Sequence, residues 1–157
     1  MQWQLKKFDE LLPVELYRIL QLRQEVFVVE QNCPYIDADE NDLQSYHLMG
    51  IIFSDSAESE YRKKKLIAYS RIVLAGVSYP EVSIGRVVTH PEYRKKGTGI
   101  ILMEESLRQI QKIFGKVPIR IGAQYYLVDF YKKFGFEPIG DIYLEDGIKH
   151  IIMLRVK

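Results

Sequence analysis

Short apolar runs rich in β-branched and aromatic residues predict about seven strands along the chain. They lie at Trp3–Phe8, Tyr46–Phe53, Leu66–Leu74, Val82–Thr89, Val117–Gly122, Phe136–Tyr143 and His150–Val156. Apolar residues at helical spacing predict helices at Val14–Val28, Gly99–Phe114 and Tyr126–Phe134. Pro13 suits the first turn of the first helix, and Gly135 is a natural end for the last one. This order indicates an α/β fold with a mixed sheet rather than a regular doubly wound sheet.

The polar segment "SDSAESEYRKKK", from Ser54 to Lys65, separates two of the apolar runs. It predicts a loop between strands whose lysines are solvated, as charge runs usually are. No repeat and no long linker divides the 157 residues, so we expect a single domain over residues 1–157.

Composition narrows the classes of partner. The formal net charge is +1, so no general field favours nucleic acid or an anionic membrane, and any basic site must be local. The segment "MQWQLKKFDE" lacks the apolar core of a signal peptide, and no apolar run reaches transmembrane length. Cys33 is the only cysteine, so it has no partner for an internal disulfide. We therefore expect a cytoplasmic protein.

The stretch "YRKKGTGI" places two glycines behind three cations, between a predicted strand and a predicted helix. A helix start offers free N–H groups to an anion, and glycines allow the backbone to approach it closely. The alternative interpretation is a basic surface turn. Two familiar phosphate loops do not fit, because Ile100 follows Gly99 where the nucleotide-triphosphate loop needs lysine, and Leu102 stands where the dinucleotide loop needs glycine.

Three segments in sequence carry a family resemblance. They are "SIGRVVTHPEYRKKGTGIILMEESL", "VPIRIGA" and "DFYKKFGFEPIG". Together they resemble the GCN5-related N-acetyltransferase (GNAT) superfamily, whose coenzyme A loop has the form Q/R-x-x-G-x-G/A. With "LRQEVFVVEQNCPYIDADENDL" and "EDGIKHIIM", the whole chain resembles the ElaA-like branch. The resemblance implies a splayed central strand and acetyl transfer from acetyl-CoA to a primary amine through a ternary complex.

The resemblance also implies roles for particular residues. The loop amides would hold the pyrophosphate of acetyl-CoA, and they belong to Arg94, Lys95, Lys96, Gly97, Thr98 and Gly99. The backbone of Val87 and Val88 would pair with the pantetheine arm, and the Val88 N–H would stabilise the oxyanion. Tyr131 matches the general acid, and its alternative role is that of a core tyrosine. Gln124 stands where many members have asparagine.

The general base is not fixed by the resemblance. The glutamate that many members carry on the central strand has no counterpart, since Arg86 and Val88 occupy that region. His150 and Glu30 are the candidate bases. The alternative for His150 is a satisfied histidine at a strand end.

The N-terminal half contains the candidate acceptor site. Arg23 falls in register with the apolar residues of the first helix, which predicts either a structural salt bridge or a substrate contact. Asp37, Asp39 and Asp42 form either a solvated turn or an acidic collar for a cationic amine. A calcium loop is excluded because Leu48 stands at the closing glutamate position. The three histidines are far apart in sequence, and we expect no metal.

The acceptor itself stays open: a small amine, an amino sugar, an antibiotic or a protein lysine. Nothing indicates a nucleic-acid or membrane partner, and both a monomer and a homodimer are consistent with the sequence. One rival function is acyl-homoserine lactone synthesis, since Arg23, Phe27, Asp37 and Asp42 loosely resemble the pattern of those enzymes. Lactone production from S-adenosylmethionine would distinguish it. The other rival is a non-catalytic acyl-CoA sensor, which would release no thiol with any amine.

Overall fold

A computed structural model of the protein describes residues 1–53 and 63–156. All the predicted strands are found, with no bound shifted by more than two residues. The strands are β1 Gln2–Lys7, β2 Ser45–Phe53, β3 Lys64–Val73, β4 Val82–Thr89, β5 Ile119–Gln124, β6 Glu137–Glu145 and β7 Ile148–Arg155. The predicted loop Ser54–Lys65 lies outside the described residues over 54–62, and its last two residues begin β3.

The strands form one 7-stranded sheet in the order β1-β2-β3-β4-β5-β7-β6. Neighbouring strands run antiparallel except for β4 and β5, which are parallel. These two central strands pair only at Val82 with Ile119 and at Ser83 with Arg120. Beyond that point they are no longer paired, so the splayed central strand that the family resemblance implied is confirmed.

Within residues 1–53 and 63–156, the α-helices that cover the sheet are α1 Pro13–Arg23, α2 Thr98–Phe114 and α3 Val128–Lys132. On one face, α1 packs Ile19 and Leu22 against Tyr69 of β3. On the other face, α2 and α3 pack Met103 and Tyr131 with residues of β4, β5 and β7. None of the helices in the described part of the chain is both long and apolar enough to cross a membrane.

The predicted helix Val14–Val28 is wrong in one respect. It continues from α1 into a π-helix at Gln24–Glu30, in which Gln31 donates its backbone N–H to Val26. The third predicted helix, Tyr126–Phe134, divides into a 3-10 turn at Tyr125–Leu127 and the short α3. A repeat of apolar positions does not distinguish these hydrogen-bonding patterns, because wider and tighter turns keep much of the same face buried.

Candidate functional site

The basic glycine loop connects β4 to the start of α2. Gly97 adopts φ +79, in the left-handed region that favours glycine, and α2 begins at Thr98. The Thr98 hydroxyl donates a 2.7 Å hydrogen bond to the carbonyl of Tyr93, which fixes the loop against the helix end. The first N–H groups of α2 have no acceptor within the helix, so the loop places an anion-binding helix end at its centre.

The space above Gly99 is sufficient for close approach of a ligand. A Cβ added to Gly99 would lie 3.7 Å from the ring of Phe130, which is an ordinary contact. Lys95 and Lys96 are exposed on the same loop, with Lys96 Nζ 5.4 Å from the centre of the Tyr93 ring. The loop therefore combines free amides with solvent-facing positive charge, the two properties that a pyrophosphate requires.

Arg94 is engaged by the carboxylate of Glu30. Its Nη1 and Nη2 donate to the two oxygens of Glu30 at 2.7 and 2.9 Å, and its Nε donates to the carbonyl of Thr89 at 3.3 Å. Glu30 ends the π-helix, so this pair joins the N-terminal layer to the loop. Arg94, predicted as a cation of the phosphate loop, and Glu30, predicted as a candidate base, therefore form one ion pair.

A cleft of about 640 Å³ runs from the loop through the gap between β4 and β5. Its lining includes most of the predicted site residues, namely Glu30, Asp39, Val87, Val88, Arg94, Gly99, Gln124, Tyr131 and His150. At the gap, the edge of β4 beyond Ser83 is not paired with β5. An unpaired strand edge offers N–H and C=O groups to an extended chain.

The cleft connects the two faces of the sheet. Gln124 and Tyr143 each pair directly with His150, and directly paired residues of antiparallel strands share a face. Ile121 and Ala123 point to the opposite face of β5, where Tyr131 packs with them in the core. The predicted acid, Tyr131, and the predicted base, His150, therefore approach the gap from opposite sides.

Tyr131 is only 7% exposed and sits between aromatic rings. Its ring lies edge-on to Phe130 and Phe136, with centroids 5.1 and 6.2 Å away. Burial, and to a smaller extent the charge of Tyr126, raises the pKa of Tyr131 well above that of an ordinary phenol. A phenol in this position keeps its proton at neutral pH.

His150 is held in one tautomer by its own strand. Its Nδ1 lies 2.9 Å from the carbonyl of Ile148, which can only accept, so Nδ1 carries the proton. The lone pair is left on Nε2, which is 3.9 Å from a carboxylate oxygen of Glu145. The ring of Tyr143 stacks on the imidazole at 5.7 Å. The arrangement suits a proton acceptor.

Gln124 is held across the cleft by a residue that follows the π-helix. Its Nε2 donates to the side-chain oxygen of Gln31 at 3.1 Å. Two residues further along, the buried Cys33 lies with its sulfur 3.7 Å from the carbonyl of Asp146. The segment after the π-helix therefore spans the cleft towards the turn between β6 and β7.

The acceptor-site residues predicted in the N-terminal half form an ion network. Arg23, 0% exposed, donates to Asp37 at 2.6 Å and to Asp42 at 2.7 Å. Arg71 bridges Asp42 at 2.7 Å and Asp39 at 2.5 Å. The structural salt bridge, one of the two interpretations of Arg23, is therefore what the structure contains.

A third arginine closes the network from the central strand. Arg86 donates to Asp37 at 2.7 Å and to Asp39 at 3.3 Å, and its backbone adopts φ +51. The bulge between Tyr69 and Arg71 in the pairing of β3 with β4 lies beside it. Three arginines thus match three aspartates at the place where the resemblance led us to look for a catalytic glutamate.

This network corrects the expectations for the aspartates. Asp37 and Asp42 are 4% and 5% exposed, so the segment is not a solvated turn. Nor is it an uncompensated acidic collar, because each carboxylate is bonded to two arginines. Arg71 and Arg86 were not predicted as partners of these aspartates. The available signal was their position inside apolar strands, where a charge needs a partner.

The described residues contain no group of three or more His, Cys, Asp or Glu side chains placed to hold a metal ion. Two of the three histidines, His47 and His90, make hydrogen bonds to neighbouring protein groups instead. His47 is buried between the Tyr69 hydroxyl at 2.8 Å and the Asp42 carbonyl at 3.0 Å. The ring of His90 accepts a hydrogen bond from the backbone of Glu92 at the start of the glycine loop.

Known proteins share this sequence and fold. A family model described as an acetyltransferase (GNAT) domain matches residues 42–156. Protein ElaA of Escherichia coli is 39% identical over 156 residues, which covers 98% of this chain and 95% of ElaA. A UPF0039 protein of Synechocystis sp. is 37% identical over 152 residues, covering 97% and 93% of the two chains.

Solved structures give the same result. The crystal structure of Escherichia coli ElaA matches with a TM-score of 0.84 and covers 99% of both chains. The crystal structure of an acyl-CoA N-acyltransferase from Pseudomonas aeruginosa matches with a TM-score of 0.85 at 38% identity, also over 99% of both chains. The predicted GNAT fold is therefore confirmed. This chain belongs to the GNAT acetyltransferase family and is an ElaA-like member of it.

Proposed function

We propose that this protein transfers the acetyl group of acetyl-CoA to a primary amine in a ternary complex in the cytoplasm. One observation carries the proposal: a cleft at the gap between β4 and β5 connects the start of α2, on one face of the sheet, to a polar chamber on the other face. A donor and an acceptor that enter from opposite faces would meet at this gap. Both must then be bound before transfer takes place.

The donor would lie along the edge of β4. The pyrophosphate binds the start of α2 through the amides of the Arg94–Gly99 loop, with positive charge supplied by Arg94, Lys95 and Lys96. The pantetheine arm contains amide groups and pairs with the backbone of Val87 and Val88 as an added strand. Gln124 lies at the end of β5 on the opposite side of the gap and lines the same cleft, where its amide can contact the arm.

The acceptor must lose a proton before it can react. A lysine-like ammonium has a pKa of about 10.4, so holding the amine neutral near pH 7 costs about 4.6 kcal/mol. Of the two candidate bases, His150 has a free lone pair on Nε2, whereas both oxygens of Glu30 are bonded to Arg94. This difference favours His150 as the base.

The leaving thiolate must gain a proton. A phenol is protonated at neutral pH, burial raises the pKa of Tyr131 further, and Tyr131 lines the cleft at the gap. It donates its proton to the sulfur as the carbon–sulfur bond breaks. The backbone N–H of Val88 is the donor proposed for the oxyanion of the tetrahedral intermediate.

Steady-state kinetics test this function. Acetyl-CoA mixed with a panel of primary amines should give free coenzyme A and N-acetylated amine in equal amounts. Reciprocal plots at several fixed amine concentrations should intersect, as a ternary complex requires. Parallel lines would instead indicate a ping-pong mechanism, in which the enzyme is acetylated before the amine binds. If no member of a panel of small amines, amino sugars and lysine peptides released any thiol, the proposed activity would be rejected.

A further inference from the structure

The chamber on the α1 side of the gap has a wall of phenols above a glycine. A Cβ placed on Gly122 of β5 would lie 3.1 Å from the hydroxyl of Tyr143 and 3.3 Å from the hydroxyl of Tyr79. The two hydroxyls therefore converge on the place that a side chain would occupy. Gly122 and Tyr79 line the cleft, so this pair of hydroxyls lies at its border.

The same wall carries the carboxylate of Glu145, which has no lysine or arginine partner among the described residues. Glu145, at the end of β6, has a side chain that is 58% exposed, and its one ion-pair contact within the described ranges is the 3.9 Å approach to His150. Burial first, and the charge of Glu145 second, raise the pKa of Tyr79, while the charge of Arg120 opposes them. The pKa of Tyr143 is raised to about 12 by burial, Tyr79 and Glu145.

The other charged groups that line the chamber balance each other. Arg71 and Arg86 are bonded to aspartates of the ion network, so they contribute little net charge. Close to the phenols, Arg120 is paired with Glu81 at 2.7 Å. The excess charge at this end of the cleft is therefore that of Glu145, together with Asp146 in the adjoining turn, which also lines the cleft.

We infer that Tyr79, Tyr143 and Glu145 form the binding site for the acceptor, and that the acceptor is a cationic primary amine. The inference rests on the proposed function. The ammonium donates hydrogen bonds to the Glu145 carboxylate and to the phenol oxygens, which the missing side chain of Gly122 allows to lie close together. A charged hydrogen bond of this kind discriminates against an uncharged analogue of equal size.

The site also supplies the proton path for transfer. His150 Nε2 removes one proton from the ammonium, and Glu145 stabilises the imidazolium that forms. The neutral nitrogen attacks the thioester carbonyl carbon to form the C–N bond. When the C–S bond breaks, the thiolate takes the proton of Tyr131, and the tyrosinate recovers a proton from the amide nitrogen. The products are the N-acetyl amine, coenzyme A and one proton held by His150.

An NMR titration with a matched pair of probes tests the site without relying on turnover. Phenethylamine carries the ammonium group, and 2-phenylethanol has the same shape without the charge. Phenethylamine should shift the amide resonances of the β6–β7 hairpin, and 2-phenylethanol should not. Glu145→Gln should weaken phenethylamine binding by about tenfold or more. Glu137→Gln, which removes the same charge from the exposed start of β6, should leave it unchanged.

The possible outcomes separate the site from the proposed function. Equal binding of the two probes, no shift of the hairpin amides, or equal affinities of Glu145→Gln and Glu137→Gln would overturn the site. If the hairpin binds phenethylamine but no amine is acetylated, the site stands and the acetyltransferase function fails. If acetylation proceeds and Glu145→Gln leaves the KM for the amine unchanged, the function stands and the site fails.

Discussion

The hydroxyl of Tyr131 ionises only with difficulty, because its ring is enclosed by Phe130, Phe136 and the apolar residues of β5 and β7. The same enclosure explains why the sequence allowed two interpretations of this residue. A core tyrosine and a buried general acid have the same neighbours. They differ only in whether the hydroxyl reaches a cleft, and Tyr131 lines one.

Replacing Tyr131 by phenylalanine removes the acidic hydroxyl and keeps the packing of the ring. Tyr131→Phe should lower turnover by about tenfold or more, because the thiolate loses its acid, while the ring stays in place. Acetyl-CoA affinity, measured by calorimetry, should change little. Tyr17→Phe, at a position 65% exposed on α1, is the matched control. Unchanged turnover at saturating substrates would make Tyr131 a core residue only.

Arg23 is a buried charge whose partners are also buried. Arg23→Met should lower the free energy of unfolding by about 3–5 kcal/mol, because Asp37 and Asp42 each lose a partner without regaining water. Chemical denaturation measures this change. Arg108→Met, which breaks the surface pair with Glu105, should leave stability nearly unchanged. Equal stability of the two variants would contradict a structural role for the network.

His47 makes stability depend on pH. Burial first, with the charges of Arg23 and Arg71 acting in the same direction, lowers its pKa in the folded state, although Asp42 opposes them. In the unfolded chain the pKa is about 6.5, so at mildly acidic pH the unfolded state binds a proton that the folded state does not. Stability should therefore fall as the pH drops below about 6.5. His47→Gln should flatten this part of the curve of unfolding free energy against pH, and an unchanged slope would exclude His47 as its source.

The ion pair between Glu30 and Arg94 connects the π-helix to the basic glycine loop before α2. The pair is partly exposed, with 42% and 35% of the two side chains accessible. A pyrophosphate that binds Arg94 must share it with Glu30 or displace Glu30. Glu30 of the π-helix would therefore lower the positive charge that a pyrophosphate bound at this loop would meet.

Glu30→Gln separates this competition from a role as general base. The variant should bind acetyl-CoA more tightly by up to about fivefold, since an exposed ion pair is worth at most about 1 kcal/mol. The kcat at saturating substrates should stay the same. Glu25→Gln removes the same charge from an exposed site on the same π-helix and should change neither quantity. A large loss of kcat in Glu30→Gln alone would instead identify Glu30 as the base.

Local sequence patterns predicted the strands and helices of this fold, but they did not predict which strands pair with each other. The strands followed from β-branched runs, and the loop at Gly97 followed from glycines beside cations. The place of β7 between β5 and β6 had no local signal, because pairing partners are chosen by packing and not by periodicity.

The candidate site shows the same limit. The partners of Arg23 lie 14 and 19 residues away, and the salt-bridge interpretation of Arg23 did not identify them. Arg86 meets Asp37 across 49 residues, and Glu30 meets Arg94 across 64. The convergence of Tyr79 and Tyr143 above Gly122 joins three separate strands or loops. Contacts between distant segments of this kind depend on sheet order, which the sequence alone does not provide.

Calorimetric titration with acetyl-CoA tests most directly whether the loop before α2 holds the donor. The wild type should bind with a dissociation constant near one micromolar, about −8 kcal/mol. Gly99→Glu should abolish binding, because it places a carboxylate where the pyrophosphate lies, yet its Cβ fits 3.7 Å from Phe130 and the fold should be retained. Gly99→Gln, equal in size without the charge, should bind at least about tenfold better than Gly99→Glu. No binding by the wild type at millimolar acetyl-CoA, or equal binding by the wild type and Gly99→Glu, would show that this loop does not hold the donor.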